Sequence, residues 1–298
     1  MTAAETVIVG AMDVGGSHVS AALVAVGGGS ARIVARAQSP LDSQAAEGAL
    51  LSQLVAPALS LADAEDLDWT IALPGPFDYI EGRGSFAGVG KFQSIADVDL
   101  RDGLGSRLRV DGTRVRFIND AEAYGRGEWS SGARPERFVC ITLGTGVGSV
   151  FLDNGVAVTS GDEVPPQGWV HLLEYDGRPL EESISTDAIR REYARLSGRE
   201  AEVRSIANAA RRGDRQAAEA ISGRMRILGI ALGPWFSRFR ATEVVIGGAM
   251  SQSWDLLEAP LRAGVVSAGA ALPSTLRASE LLDDAPLVGA ALSGSATG

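Results

Sequence analysis

The sequence predicts an α/β protein built from two halves of related architecture. Three observations carry this. An antiparallel meander opens the chain, with strand-like runs at 7–12, 19–26 and 32–38 separated by the turns 13–18 and 27–30. A second strand–turn–strand unit echoes it: an apolar run at 137–143, the turn Gly144-Thr145-Gly146-Val147-Gly148, and a run at 149–152. Elsewhere short apolar strands alternate with segments of helical spacing. This is an internal repeat of architecture rather than a short-period array.

The elements follow in order. Residues 43–61 have helical spacing through Leu50, Leu54 and Leu59, with Ser43 as N-cap. Trp69-Thr70-Ile71-Ala72-Leu73 is a short buried strand that ends in the stiff turn Pro74-Gly75-Pro76. Residues 77–98 are glycine-rich and irregular, and long loops of this kind are often functional. A short helix is expected at 99–108 and a strand at 115–118, which runs into Asn119-Asp120-Ala121-Glu122-Ala123. There a helix begins and continues to about 129. Helices are expected at 183–196, 200–211 and 214–239, and a strand at 242–246 that ends in Gly247-Gly248. A helix at 251–263 and a last one at 285–292 complete the chain. No low-complexity linker divides it, so the border is placed near 115–120. That gives an N-terminal domain of 1–117 and a larger C-terminal one of 118–298, with the last helix free to pack back on the first.

Composition narrows the function classes. A chain of 298 residues with 45% hydrophobic content can bury real cores. The net charge of −10 argues against nucleic acid or an anionic membrane as partner. It leaves room for a small anionic ligand held by local N–H groups and Mg²⁺. The single cysteine, Cys140, excludes an intrachain disulfide and a Cys-rich metal site, and its apolar neighbours place it in the core. Met1 to Glu5 lack the basic start of a signal peptide, and no apolar run reaches about 18 residues. A cytoplasmic protein is expected. Lys91 is the only lysine among 27 basic residues.

The candidate chemistry starts at Asp13-Val14-Gly15-Gly16-Ser17. Glycines let a backbone approach a phosphate and turn its N–H groups toward it, and an aspartate at a strand end can hold Mg²⁺ through water. The same residues are ordinary hairpin chemistry. Asn119 or Asp120 can cap a helix as readily as serve a site. Gly247-Gly248 can be a plain strand-to-helix turn. His171, among apolar neighbours, can be a core residue, and His18 is read as structural.

The order of these pieces resembles the ROK family of sugar kinases and repressors, within the actin/hexokinase-like ATPase fold. The resemblance runs from Val7 to about Leu261. It implies two ribonuclease-H-like domains around a central cleft. Asp13-Val14-Gly15-Gly16-Ser17 is similar to the family's first phosphate motif and Leu143-Gly144-Thr145-Gly146-Val147-Gly148 to the second. Phe117-Ile118-Asn119-Asp120-Ala121 is similar to the segment with the sugar-binding Asn and the catalytic Asp. Val244-Val245-Ile246-Gly247-Gly248 is similar to the adenosine motif. The resemblance therefore implies Asp120 as general base for the 6-hydroxyl of a hexose. It implies sugar contacts from Gly75, Asn119, Asp120, His171 and Glu181. Nucleotide contacts would come from Asp13, Gly15, Gly16, Ser17, Gly144, Thr145, Gly146, Gly247 and Gly248. ATP is the implied donor, Asp13 the Mg²⁺ residue, and a homodimer a family expectation.

Where many members carry Gly-Glu-Ile-Gly-His, a Cys-rich zinc loop and Leu-Glu, this chain reads Gln167-Gly168-Trp169-Val170-His171, a shorter loop, and Leu180-Glu181. No zinc is expected. The turn Asp176-Gly177-Arg178-Pro179 would close the loop instead. Only the preceding leucine favours Glu181 over Glu182. Gly168 replaces a glutamate that in the family contacts the 2/3 side of the sugar. That points to a substrate other than plain glucose, such as the amino hexose kanosamine, or to a compensating acid such as Glu163. The alternatives are a sugar-responsive repressor, for which a phosphate turn starting at Asp13 leaves no DNA-binding segment, and a non-catalytic sugar-binding protein.

Overall fold

The computed structural model describes residues 6–61, 66–88 and 90–295. The stretch 1–5, read above for a signal peptide, lies outside them. The chain divides into two compact units, Met1–Gly132 with Asp283–Gly298, and Ala133–Leu282.

The first unit opens with the meander β1 (Val7–Val14), β2 (His18–Gly27) and β3 (Ser30–Pro40). It continues through α1 (Glu47–Leu59), β4 (Trp69–Leu73), the small hairpin β5 (Phe77–Asp78) and β6 (Arg83–Gly84), α2 (Leu100–Leu108), β7 (Val115–Asn119) and α3 (Asp120–Ser131). The strands form one sheet in the order β3-β2-β1-β4-β7, antiparallel through the meander and parallel from β1 to β7. Period-2 alternation sorts their side chains to two faces. Met12, Ile71 and Phe117 join Leu50, Leu54 and Leu104 in one core, while Ala11, Ala72 and Ile118 join a second with Ala123. β3 alternates exposed and half-buried residues along its length, as an edge strand does.

The second unit repeats the scheme. β8 (Arg137–Leu143), β9 (Val147–Asp153) and β10 (Val156–Ala157) form the meander. The hairpin β11 (Glu174–Tyr175) and β12 (Arg178–Pro179) precedes α4 (Leu180–Ile184), α5 (Thr186–Ser197), α6 (Val203–Arg211) and α7 (Arg215–Phe239). β13 (Glu243–Gly247), α8 (Trp254–Ser267) and β14 (Thr275–Ala278) follow. The sheet order is β10-β9-β8-β13-β14, with β13 parallel to both neighbours. Cys140 is fully buried in β8.

The last helix, α9 (Ala285–Ser295), belongs to the first unit and lies on α3 and β1. Glycines permit that approach. A β-carbon on Gly289 would overlap the Ala123 carbonyl, and one on Gly127 would overlap the Ala285 carbonyl. The second core of that unit accordingly includes Leu287, Ala290 and Ala291.

Three local expectations differ from the structure. The first helix begins at Glu47, and Ser43 instead lends its carbonyl to the Phe92 N–H at 2.9 Å. The helix expected at 183–196 is two helices, split where Ser185 caps α5 by accepting from Ala188 N–H. The helix expected from 251 starts at Trp254, after a short 3₁₀ turn. Among the described residues no helix is long and apolar enough to cross a membrane.

Candidate active site

In the first unit the parallel register gathers the candidate residues. Asp13 of β1 pairs with Ala72 of β4, and Leu73 pairs with Asn119 at the end of β7. The strands run the same way, so their ends lie side by side. Asp13, the turn Pro74-Gly75-Pro76 and Asn119-Asp120 thus share one edge of the sheet, spread over two strand spacings, about 10 Å. The turn contains a cis peptide between Gly75 and Pro76.

Asn119 holds the corner between β7 and α3. Its Oδ1 accepts from Glu122 N–H at 3.1 Å, an N-cap bond. Its Nδ2 donates to the Tyr79 hydroxyl at 3.0 Å, and that hydroxyl donates to the Leu73 carbonyl at 3.1 Å. The capping reading of Asn119 is what these bonds show, with its amide nitrogen turned to Tyr79. Tyr79 was not foreseen: it lies in the irregular loop, and no motif marks it. Burial raises its phenol above the usual range, against the Asn119 bond, with Asp120 adding to the rise.

Asp13 is half-buried, and its carboxyl is pushed up to about 7. Burial is the largest cause, the charges of Asp120 and then Asp283 add to it, and Arg36 opposes. Asp283 was also missed by sequence reasoning. It stands just before α9, beside the Arg36–Asp284 ion pair of 2.7 Å. Asp120 begins α3, and its Oδ1 accepts from Ala121 N–H at 2.8 Å. At the turn itself, Gly15 N–H is used by the hairpin, donating to His18 O at 3.0 Å, while Gly16 and Ser17 are exposed. The N–H groups of Gly16 and Ser17 have no partner among the described residues.

In the second unit the Gly144–Gly146 turn joins β8 to β9, with Gly144 N–H donating to Gly146 O at 3.0 Å. A β-carbon on Gly144 would meet nothing within 4 Å. Neither packing nor a left-handed backbone explains that glycine, whereas the approach of a ligand would. Gly248 is the opposite case: its φ is +77° and a β-carbon would run into the Leu143 carbonyl, so its own fold accounts for it. Gly247 pairs with Thr142 of β8, which sets this corner beside the same turn.

Glu181 approaches the turn from α4, and its Oε2 accepts from Val147 N–H at 3.0 Å. Glu182 is exposed. His171 lies in a short 3₁₀ turn with its ring stacked on Trp169, centroids 5.5 Å apart. The hairpin β11–β12 closes the shortened loop through Asp176 and Gly177, both at positive φ, and Leu180 N–H returns to Leu173 O at 2.8 Å. The buried Ser149 hydroxyl pins the stretch before His171. It donates to Gly168 O at 2.7 Å and accepts from Val170 N–H at 2.9 Å. Glu163, the compensating acid considered from sequence, is engaged in an ion pair. It is paired with Arg137 at 3.1 Å, at the opposite end of β8 from the glycine turn, roughly 20 Å along the strand.

The sequence pattern of the ROK family matches residues 9–293. The chain belongs to the ROK family. The match takes in every candidate residue from Asp13 to Gly248. A glucokinase of Thermotoga maritima is 28% identical over 94% of this chain and 95% of its own. The ROK glucokinase of Streptomyces griseus, solved with glucose and AMPPNP, superposes with a TM-score of 0.76 at 22% identity, covering 96% of this chain and 98% of that one. A ROK transcriptional regulator, a homologue of E. coli MLC, gives 0.73 at 21% identity over 96% of this chain and 77% of that one. Kinase and regulator thus share the fold, the two-sheet hexokinase-like ATPase architecture. At these identities the superpositions speak for the fold alone.

Proposed function

We propose that this ROK protein is an ATP-dependent kinase that phosphorylates the 6-hydroxyl of glucose or a related hexose. The observation that carries the reading is the shared sheet edge that brings Asp13, Gly75 and Asn119-Asp120 together, within a family whose relatives include a glucokinase. Asp120 accepts the proton as the sugar oxygen attacks the terminal phosphorus and the bond to ADP breaks. Asn119, Gly75, His171 and Glu181 bind the sugar. The N–H groups of Gly16 and Ser17 and the Ser17 hydroxyl hold phosphate oxygens, and so do Gly144, Thr145 and Gly146. Gly15 lets the first turn come close. Gly247 and Gly248 leave room for adenosine.

The residues fit Mg²⁺. Asp13 carries a burial-raised carboxyl next to Asp120, a charge pattern that a cation relieves. Asp13 would hold the ion through water, and the ion would neutralise charge on the phosphates. ATP as donor goes with the cytoplasmic location expected from sequence.

For the acceptor, Gly168 supports a hexose altered on its 2/3 side, with kanosamine as the candidate. A site that loses a hydrogen-bonding side chain changes its discrimination strongly. The test is coupled ADP release with glucose, mannose, N-acetylmannosamine, glucosamine and kanosamine. ATP-dependent turnover of at least one hexose is expected, falling about 10²-fold or more in Asp120→Asn. An Asp120→Asn variant with unchanged turnover overturns the base assignment. A kcat/KM for glucose far above that for every amino hexose overturns the kanosamine assignment.

A further inference from the structure

Lys91, the chain's only lysine, belongs to none of the motifs above. Its side chain comes up to the first glycine turn. A β-carbon built on Gly16 would stand 3.5 Å from Lys91 Nζ, 3.8 Å from its Cδ and 4.0 Å from its Cε. The ammonium makes no hydrogen bond or ion pair among the described residues, in a protein of net charge −10.

The backbone on both sides of Lys91 is held. The Gly90 carbonyl accepts from Gln44 Nε2, and Phe92 N–H donates to Ser43 O at 2.9 Å. The Phe92 ring is buried 5.5 Å from that of Phe86, and Ser94 Oγ donates to Ala45 O at 2.7 Å. The 41–45 segment that anchors this loop is itself tied to the turn, since Leu41 N–H donates to Ser17 O at 2.9 Å. One continuous set of bonds therefore links the glycine turn to the residues flanking Lys91. Among the described residues, an unpaired cation therefore stands beside a turn whose Gly16 and Ser17 N–H groups have no partner, and all three residues are exposed.

We propose that Lys91 contacts the terminal phosphoryl group of the nucleotide. This rests on the kinase reading above. The sugar oxygen bonds to phosphorus, its proton goes to Asp120, and the bond to the ADP oxygen breaks. The non-bridging oxygens keep their negative charge throughout. Lys91 donates to one of them, a role suited to a compact ammonium on a flexible stem.

Two measurements test it. Lys91→Met should lower kcat about 10–100-fold and leave the sugar KM within about twofold, and Lys91→Arg should recover most of the loss. Because there is one lysine, amine acylation followed by mass spectrometry reads this site without activity. AMPPNP with Mg²⁺ should slow acylation of Lys91 several-fold, and ADP should slow it less. Wild-type kcat in Lys91→Met, or acylation indifferent to AMPPNP in a protein that binds it, overturns the proposal while leaving the kinase reading intact. A wild-type protein that neither binds AMPPNP nor turns over any hexose overturns both.

Discussion

Glu181 Oε2 accepts the Val147 N–H at 3.0 Å, so one carboxylate ties the exit of the second glycine turn to the start of α4. This distinguishes Glu181 from its neighbour Glu182, which is exposed. Removing the acceptor leaves a backbone donor at a buried residue short of its partner, which costs about 1–3 kcal/mol. Glu181→Ala should therefore lower stability in urea by that amount and raise the KM for the sugar as well as for ATP. Glu182→Ala should stay within about 0.5 kcal/mol of wild type. Equal effects from the two variants would remove the distinction.

The Asp13 carboxyl predicts a pH dependence of stability. Its folded value, about 7, lies above the ordinary aspartate value of 3.8, with burial and then Asp120 as the main causes. Between those values the folded state binds more protons than the unfolded one. Its contribution to stability is therefore fully present below about pH 4 and is lost as pH rises through about 7. Asp13→Asn removes the penalty. The ligand-free variant should match wild type near pH 4 and exceed it by about 1–4 kcal/mol at pH 8, toward the lower end because the side chain is only half-buried. Urea midpoints of both proteins from pH 4 to 9 check this, and a difference that does not grow with pH would refute it.

Much of this was legible in sequence because it is local. The opening meander, the β8–β9 strand pair around the second glycine turn, the Trp69–Leu73 strand, the β7–α3 corner at Asn119 and the turn at Asp176-Gly177 each follow from a periodicity and a turn chemistry. What escaped depends on distant partners. Ser185 splits a helix where Thr186 N–H reaches back to Gly144 O at 3.0 Å, a contact no local pattern encodes. β14 is four residues long with only Leu276 buried, too short to show a period. Tyr79, Asp283 and Lys91 reach the first glycine turn or its neighbours through long-range folding. Only Lys91 carried a signal, its uniqueness, and that signal pointed to no partner.

The seat of α9 on α3 gives a stability test. A methyl group on Gly289 would overlap the Ala123 carbonyl, and backbone cannot yield as a side-chain tip does. Gly289→Ala should lower the urea midpoint, by about 1–3 kcal/mol in free energy or more. A Gly223→Ala change on α7, where a β-carbon meets nothing within 4 Å, should be neutral or slightly stabilising, as expected for alanine in a helix.

The final prediction concerns the position where the family glutamate is missing. Gly168 has φ +72°, and a β-carbon there would stand 2.9 Å from the Val158 carbonyl. Its own carbonyl is held by the buried Ser149 hydroxyl at 2.7 Å, so the peptide cannot rotate freely to relieve the strain. Restoring the side chain is therefore not the same as restoring the contact. Gly168→Glu should lose about 1–3 kcal/mol of stability and gain no kcat/KM toward glucose, and Gly168→Ala should lose a similar amount. A stable Gly168→Glu protein with improved glucose turnover would show that the backbone adapts. Acceptor choice would then hang on one side chain. With the predicted outcome it hangs instead on the whole 165–171 segment that Ser149 holds in place.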